Sequence, residues 1–193
     1  MSLSPARRAI LLVTFILSMP FALGFALYYF GWRPSSTGNY GELVQPPLRL
    51  PEHGLVRPDG RELPTSELKG KWLLVLAGDG HCDPLCLQRL HDMRQIQVSL
   101  NKEMGRLRRL WLGSTVARDP VLPELKQTYP DLLIAAPDPG VGGEAWRTAL
   151  NARQPRMYVV DPLGNVVLRY PDSPDPKGVR QDVERLLKYS WVG

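Results

Sequence analysis

Two hydrophobic patterns divide the chain. Residues 9–30 are predominantly apolar and carry no charge, running from Ala9-Ile10-Leu11-Leu12-Val13 to Leu27-Tyr28-Tyr29-Phe30. About 20 such residues match a helix that spans a bilayer. Arg7 and Arg8 stand before the run, and Tyr28, Tyr29 and Trp32 mark its far end, where aromatic belts sit. Basic flanks stay on the cytoplasmic side, so residues 1–8 are expected in the cytoplasm and the rest of the chain outside it. Pro20 predicts a kink within the span. A cleaved signal peptide competes with the anchor, but the run is too long for a signal core and lacks a clear small-x-small site. Residues 31–47, rich in Gly, Ser, Thr and Pro, read as a tether.

From residue 48 short apolar runs alternate with amphipathic stretches. Residues 48–68 predict a hairpin, with Pro58-Asp59-Gly60 as its turn, and 66–70 a helical turn ending on Gly70. Residues 72–77 form a continuous apolar run, as a buried central strand requires. An amphipathic helix is expected from Cys82 to about Met104, then a strand over 107–113. Two buried strands joined by such a helix make a parallel pair. Arg118-Asp119-Pro120 opens a further helix reaching about Tyr129. A short strand over 131–136, a helix over 143–151, a β-hairpin over 154–170 and a final amphipathic helix over 179–189 complete the pattern.

Composition sharpens this reading. The chain has 193 residues, 44% of them hydrophobic. Residues 48–193 therefore suffice for one ordinary α/β domain with a real core. The prolines cluster at junctions, which argues against a helical bundle. The net charge is +5, and the basic residues are scattered. Their densest run, Arg106, Arg108 and Arg109, reads as a solvated face, and no aromatic-basic interleaving of a nucleic-acid module is present.

The candidate chemistry lies at Gly78-Asp79-Gly80-His81-Cys82-Asp83-Pro84-Leu85-Cys86, which holds the only two cysteines of the chain. A dithiol at a strand-to-helix junction is a redox or soft-metal site. With a helix starting near Cys82, both sulfurs face one side of its first turn, with Cα atoms roughly 6 Å apart. Helix N–H groups favour a thiolate there, whereas Asp83 opposes it. Cys86 shares a face with Leu90, Met93, Leu100 and Met104, so it is expected inside. Cys82 is expected as the attacking thiolate and Cys86 as the resolving thiol. An inert structural bridge is the bland alternative, although one closing so short a loop constrains the unfolded chain little. His53 is isolated and reads as a loop residue.

These segments resemble a known family. Gly70-Lys71-Trp72-Leu73-Leu74-Val75 resembles the lead-in strand of the Sco/SenC proteins, thioredoxin-like, membrane-anchored copper-handling factors of cytochrome c oxidase assembly. His81-Cys82-Asp83-Pro84-Leu85-Cys86 resembles their T-H-C-P-D-x-C segment, with Pro and Asp exchanged and Gly80 in place of Thr. Arg118-Asp119-Pro120 loosely echoes their acidic D-P-x-x-D region, and Tyr158-Val159-Val160-Asp161-Pro162-Leu163-Gly164 their Y-L-I-D-P-x-G hairpin. The resemblance spans about residues 48–189. It implies a thioredoxin-like domain on a single N-terminal transmembrane helix, placed in the periplasm at the inner (plasma) membrane. In one respect the chain departs from that family. Sco proteins add to the two cysteines a histidine eight residues before the hairpin Asp, and here that position is Arg153. Pro155 instead stands where thioredoxin-like reductases carry the cis-proline that faces their dithiol, and a cis bond is expected there.

Three functions follow from the resemblance. The first is thiol-disulfide exchange through Cys82 and Cys86, with Pro155 shaping the docking surface and a cytochrome c oxidase subunit or its copper chaperone as client. The second is Cu(I) carriage by Cys82 and Cys86, with His81 as the candidate nitrogen ligand; His91 and Met157 are weaker candidates. The third is a non-catalytic docking factor. A peroxidase constellation of Thr or Ser with Arg around the nucleophile is not found.

Overall fold

The computed structural model describes residues 4–31, 38–78, 81–113, 118–150 and 155–192. It comprises two separate units, Met1–Gly38 and Asn39–Gly193. In the first, helix α1 (Pro5–Tyr29) is one helix long and apolar enough to cross a membrane, with a mean hydropathy of 2.4. Its 25 residues span about 37 Å, more than the roughly 30 Å of a hydrocarbon core. Pro20 lies inside it, and the helix also takes in Arg7 and Arg8.

Among the described residues of the second unit, seven strands form one mixed sheet in the order β1-β7-β6-β3-β4-β5-β2. Strand β3 (Trp72–Gly78) lies at its centre, its apolar run buried on both faces. It pairs parallel with β4 (Leu107–Gly113) and antiparallel with β6 (Arg156–Val160). Strand β5 (Leu133–Pro137) continues the parallel part. The βαβ unit predicted around the cysteines is therefore present, with helix α2 (Pro84–Ser99) as its crossover. The two-residue period of β3 splits the core. Trp72, Leu74 and Leu76 share one cluster with Leu90 and Met93 of α2 and with Val183 and Leu187 of α5 (Pro176–Tyr189). Leu73, Val75 and Ala77 share the other with Trp146 of α4 (Val141–Ala149). Strand β7 (Asn165–Arg169) follows β6 through the turn at Asp161, whose side chain accepts from the Leu163 and Asn165 N–H groups.

Several elements depart from the pattern-based expectations. Strand β1 (Glu42–Arg49) begins inside the stretch read as tether and pairs with β7. Pro46 and Pro47 lack N–H donors, but an edge strand tolerates this, and the register shifts between Leu43 and Leu48. The Gln45–Pro46 peptide is cis. The hairpin expected over 48–68 shrinks to a tight turn and one bridge, Val56 to Glu62. Its first arm, β2 (Leu55–Val56), pairs instead with β5. Helix α2 starts later than expected, because Asp83 caps it and Pro84 occupies its first turn. It ends at Ser99, where a 3₁₀ segment, Asn101–Arg106, takes over. Helix α3 (Leu122–Thr128) likewise starts after, not at, Arg118-Asp119-Pro120.

The basic run is not a solvated face at Arg109. The alternation of β4 turns that side chain toward α2, where it is fully buried. Its Nε donates to Gln97 Oε1 at 2.7 Å and Nη2 to Asp131 Oδ1 at 2.7 Å. Burial pulls the Arg109 guanidinium below its ordinary value, while Asp131 holds against it. Arg106 and Arg108 donate to backbone carbonyls, of Leu187 and Glu67 respectively.

The start of the unit is fastened to its last helix. Asp182 of α5 is buried, and its carboxylate accepts from the N–H groups of Tyr40 (3.0 Å) and Gly41 (2.7 Å) and from the Tyr170 hydroxyl (3.3 Å). Burial, and then the neighbouring Asp182 charge, push the Tyr170 hydroxyl well above its usual range, so it stays a donor. Gly178 lets Tyr40 pack directly on α5; a Cβ there would sit 2.5 Å from the Tyr40 ring.

Candidate redox site

The C-terminal end of β3 delivers the chain to the two cysteines, as topological rules for α/β sheets lead one to expect. Cys82 and Cys86 are joined in a disulfide with their Cα atoms 5.1 Å apart. Cys86 lies in the first turn of α2, but Cys82 precedes the helix, a consequence of the cap at Asp83 and Pro84. Both cysteines are buried, Cys82 at 7% and Cys86 at 2% exposure, so Cys82 is the freer only by a small margin. They belong to the same buried hydrophobic cluster as Leu76, Leu90, Met93 and Met157.

Two carboxylates hold the backbone around the pair. Asp83 Oδ1 accepts from the Cys86 N–H at 2.8 Å, closing the helix cap. Asp119 Oδ2 accepts from the Cys82 N–H at 2.6 Å. The other oxygen of Asp119 accepts from Val121 N–H at 3.1 Å, and its carbonyl accepts from Leu122 N–H at 3.1 Å. Asp119 is buried at 4% exposure, and so stitches the segment before α2 to the start of α3. Sequence reasoning placed Asp119 only in a loose echo of an acidic motif; the contact joins positions 37 residues apart, and no local signal announces it.

The other residues singled out in the sequence fall as follows. His81 is mostly exposed, and its Nδ1 approaches Asp119 Oδ2 at 3.7 Å. Pro155 lies against the end of β3: a Cβ on Gly78 would meet its Cα at 3.3 Å. The Gln154–Pro155 peptide and Arg153 lie outside the described residues. Arg156, next to Pro155, donates through Nε to Asp172 at 3.0 Å, and that bond raises the Arg156 guanidinium above its ordinary value. Met157 is a core residue at 1% exposure. His91 is exposed on α2. His53 is exposed and pairs with Glu62 at 3.1 Å. Among the described residues no group of three or more His, Cys, Asp or Glu side chains is arranged to hold a metal ion.

Residues 72–190 match the family described as transmembrane-like, thioredoxin-like, C-terminal domain. The chain belongs to this family. No curated protein sequence matches it. Among solved structures, this thioredoxin-like chain is similar to yeast Sco1 with copper bound, at 23% identity and a TM-score of 0.61, over 76% of this chain and 96% of that one. It is similar to apo Sco1 from Thermus thermophilus at 20% identity and 0.59, over 80% and 98%. BsSco, described as having a disulfide switch and as a member of the Sco family of cytochrome c oxidase assembly proteins, matches at 18% identity and 0.53, over 77% and 100%. The resemblance to Sco/SenC proteins thus holds for the thioredoxin-like fold. The family description and helix α1 together support a membrane-anchored protein.

Proposed function

We propose that this thioredoxin-like protein assists cytochrome c oxidase assembly from the outer, periplasmic side of the inner membrane, through thiol-disulfide exchange at Cys82 and Cys86. The observation that carries the reading is the disulfide itself, set between the end of the central strand, where Pro155 lies against Gly78, and the head of α2. In the reduced protein the Cys82 thiolate attacks a client disulfide. A Cys82–client bond forms, and the client's own S–S bond breaks and releases one client thiolate, which takes a proton. Cys86 then attacks Cys82, restoring the Cys82–Cys86 disulfide and releasing the second client thiol. The client gains two electrons and this protein loses two. The client proposed is a cysteine pair of the oxidase or of its copper chaperone, a choice supported by the likeness to BsSco, a member of the Sco family of cytochrome c oxidase assembly proteins. Cys86→Ser should trap the mixed disulfide on Cys82, visible as a reductant-sensitive adduct on a non-reducing gel. An adduct-free Cys86→Ser protein, with Cys82 demonstrably reduced, refutes the exchange reading.

Copper carriage is the second reading, favoured by the two adjacent sulfurs and by the copper-bound yeast relative. Here Cu(I) is cargo. Cys82 and Cys86, once reduced, supply soft ligands, and His81 is the nearest described histidine in sequence. Titration of the reduced protein with Cu(I) against a competing chelator, with Cys82→Ser alongside, separates the readings. Tight one-to-one binding lost in the variant supports carriage; no binding above the chelator removes it. A double Cys82→Ser, Cys86→Ser protein that still supports oxidase assembly would make the domain a docking platform instead.

A further inference from the structure

The two cysteines are held by different means. Cys86 is fixed by helix α2, where its N–H is taken by the Asp83 cap. Cys82 stands outside the helix, and Pro84 brings no N–H with which the helix could reach back. Two contacts described for Cys82 fasten it across the site: its bond to Cys86 and the hydrogen bond from its N–H to Asp119. Reduction removes the first and leaves the second. Asp119 is suited to this task, because it is buried and its second oxygen and its carbonyl are anchored on the start of α3.

We infer that Asp119 is a positioning residue for the dithiol: its hydrogen bond keeps Cys82 within reach of Cys86 while the bond is open, and so raises the effective concentration of one thiol at the other. The inference rests on the exchange reading above and extends it, since a pair held together favours the disulfide and makes the reduced protein a stronger electron donor to its client. Freeing the backbone of about one residue is worth roughly a tenfold change in such an equilibrium.

The test uses the full chain in detergent micelles, equilibrated at pH 7 with mixtures of reduced and oxidised glutathione. The two forms are then distinguished by the mass added on thiol trapping. In this equilibrium one glutathione thiolate opens the Cys82–Cys86 bond, and a second displaces the first as oxidised glutathione. Two electrons and two protons thereby pass to the cysteines. Asp119→Ala should shift the equilibrium about tenfold toward the dithiol, or about 30 mV more positive. Asp119→Asn, which keeps an acceptor for the Cys82 N–H, should stay within about twofold of the parent, a rescue that a general loss of structure would not give. An unchanged Asp119→Ala equilibrium overturns the inference. So does an Asp119→Asn shift as large as that of Asp119→Ala, because charge rather than the hydrogen bond would then be responsible. If Asp119→Ala does not fold, hydrogen exchange of the Cys82 amide in the reduced parent decides. Protection supports the inference, and exchange at the free-peptide rate overturns it. Failure of the exchange reading looks different: the glutathione equilibrium would respond to Asp119 while Cys86→Ser traps no client.

Discussion

Reducing the Cys82–Cys86 bond should leave the domain folded and only modestly less stable. The bond spans a sequence separation of 4, so it closes a loop of five residues. The loop-closure relation gives about 7 cal/mol/K for such a loop, or about 2 kcal/mol at 25 °C. Little else is lost, since both cysteines belong to the buried hydrophobic cluster, which suits a small hydrophobe, and Asp119 and Asp83 can keep their backbone donors. In a domain of this size the loss lowers Tm by about 4–8 °C. The assay is urea unfolding of the unit beginning at Asn39, followed by tryptophan fluorescence, with and without a phosphine reductant at constant pH. Two cooperative transitions of equal slope and about 2 kcal/mol apart are expected. A loss above about 4 kcal/mol, or a reduced form without a cooperative transition, would mean that the bond is a structural staple, and would refute a role in cycling.

Three further outcomes follow from the packing. Asp182→Ala leaves the Tyr40 and Gly41 N–H groups and the Tyr170 hydroxyl without their acceptor, and should cost about 3–5 kcal/mol by urea unfolding; Asp182→Asn should cost less. Gly54→Ala should destabilise by about 3 kcal/mol or more in the same assay, since Gly54 has φ +104° and its Cβ would lie 2.2 Å from the Gly142 carbonyl carbon. Asp131 loses part of its solvation, which works to raise its pKa, but the Arg109 hydrogen bond and charge outweigh this and hold its carboxyl below the usual range. Its contribution is therefore present in full above pH ~4 and is lost as pH falls through the lowered folded value. Because Asp131 is about half exposed, that contribution should be under ~1 kcal/mol. Urea midpoints from pH 6 to 2 should show the decline, and Arg109→Met should flatten it.

The sequence made the centre of the fold legible and its margins less so. Strand β3 is buried from Trp72 to Ala77 and β4 from Arg109 to Gly113, so the apolar run of the first and Leu110-Trp111-Leu112 of the second declare them, and the crossover length then dictates parallel pairing. The dithiol declared itself by spacing. The helix start did not, because Asp83 and Pro84 were read as part of a helix rather than as its cap and first residue, and Cys82 consequently stands outside it. Strand β1 was hidden by Pro46 and Pro47, which resemble a linker unless the strand is known to be an edge. Arg109 was hidden because a charged residue on a strand reads as exposed until its partners, Gln97 and Asp131, are brought in by other elements. Asp119 was hidden for the same reason. Apart from the helix start, whose cap at Asp83 and Pro84 is local, each miss concerns a long-range partner, which local pattern cannot contain.

The clasp at Asp182 also bears on the order in which the protein is made. Strand β1 is the first element of the unit to leave the ribosome, yet Glu42 meets Arg169 across 127 positions and Gly41 meets Asp182 across 141. During synthesis β1 therefore waits, unpaired, until nearly the whole chain has emerged, while β3, β4 and β5 already have one another. The first strand made is the last one closed. Chains halted before Asn165 should accordingly show fast amide exchange throughout β1, whereas slow exchange there would mean that it finds a partner other than β7 on the way.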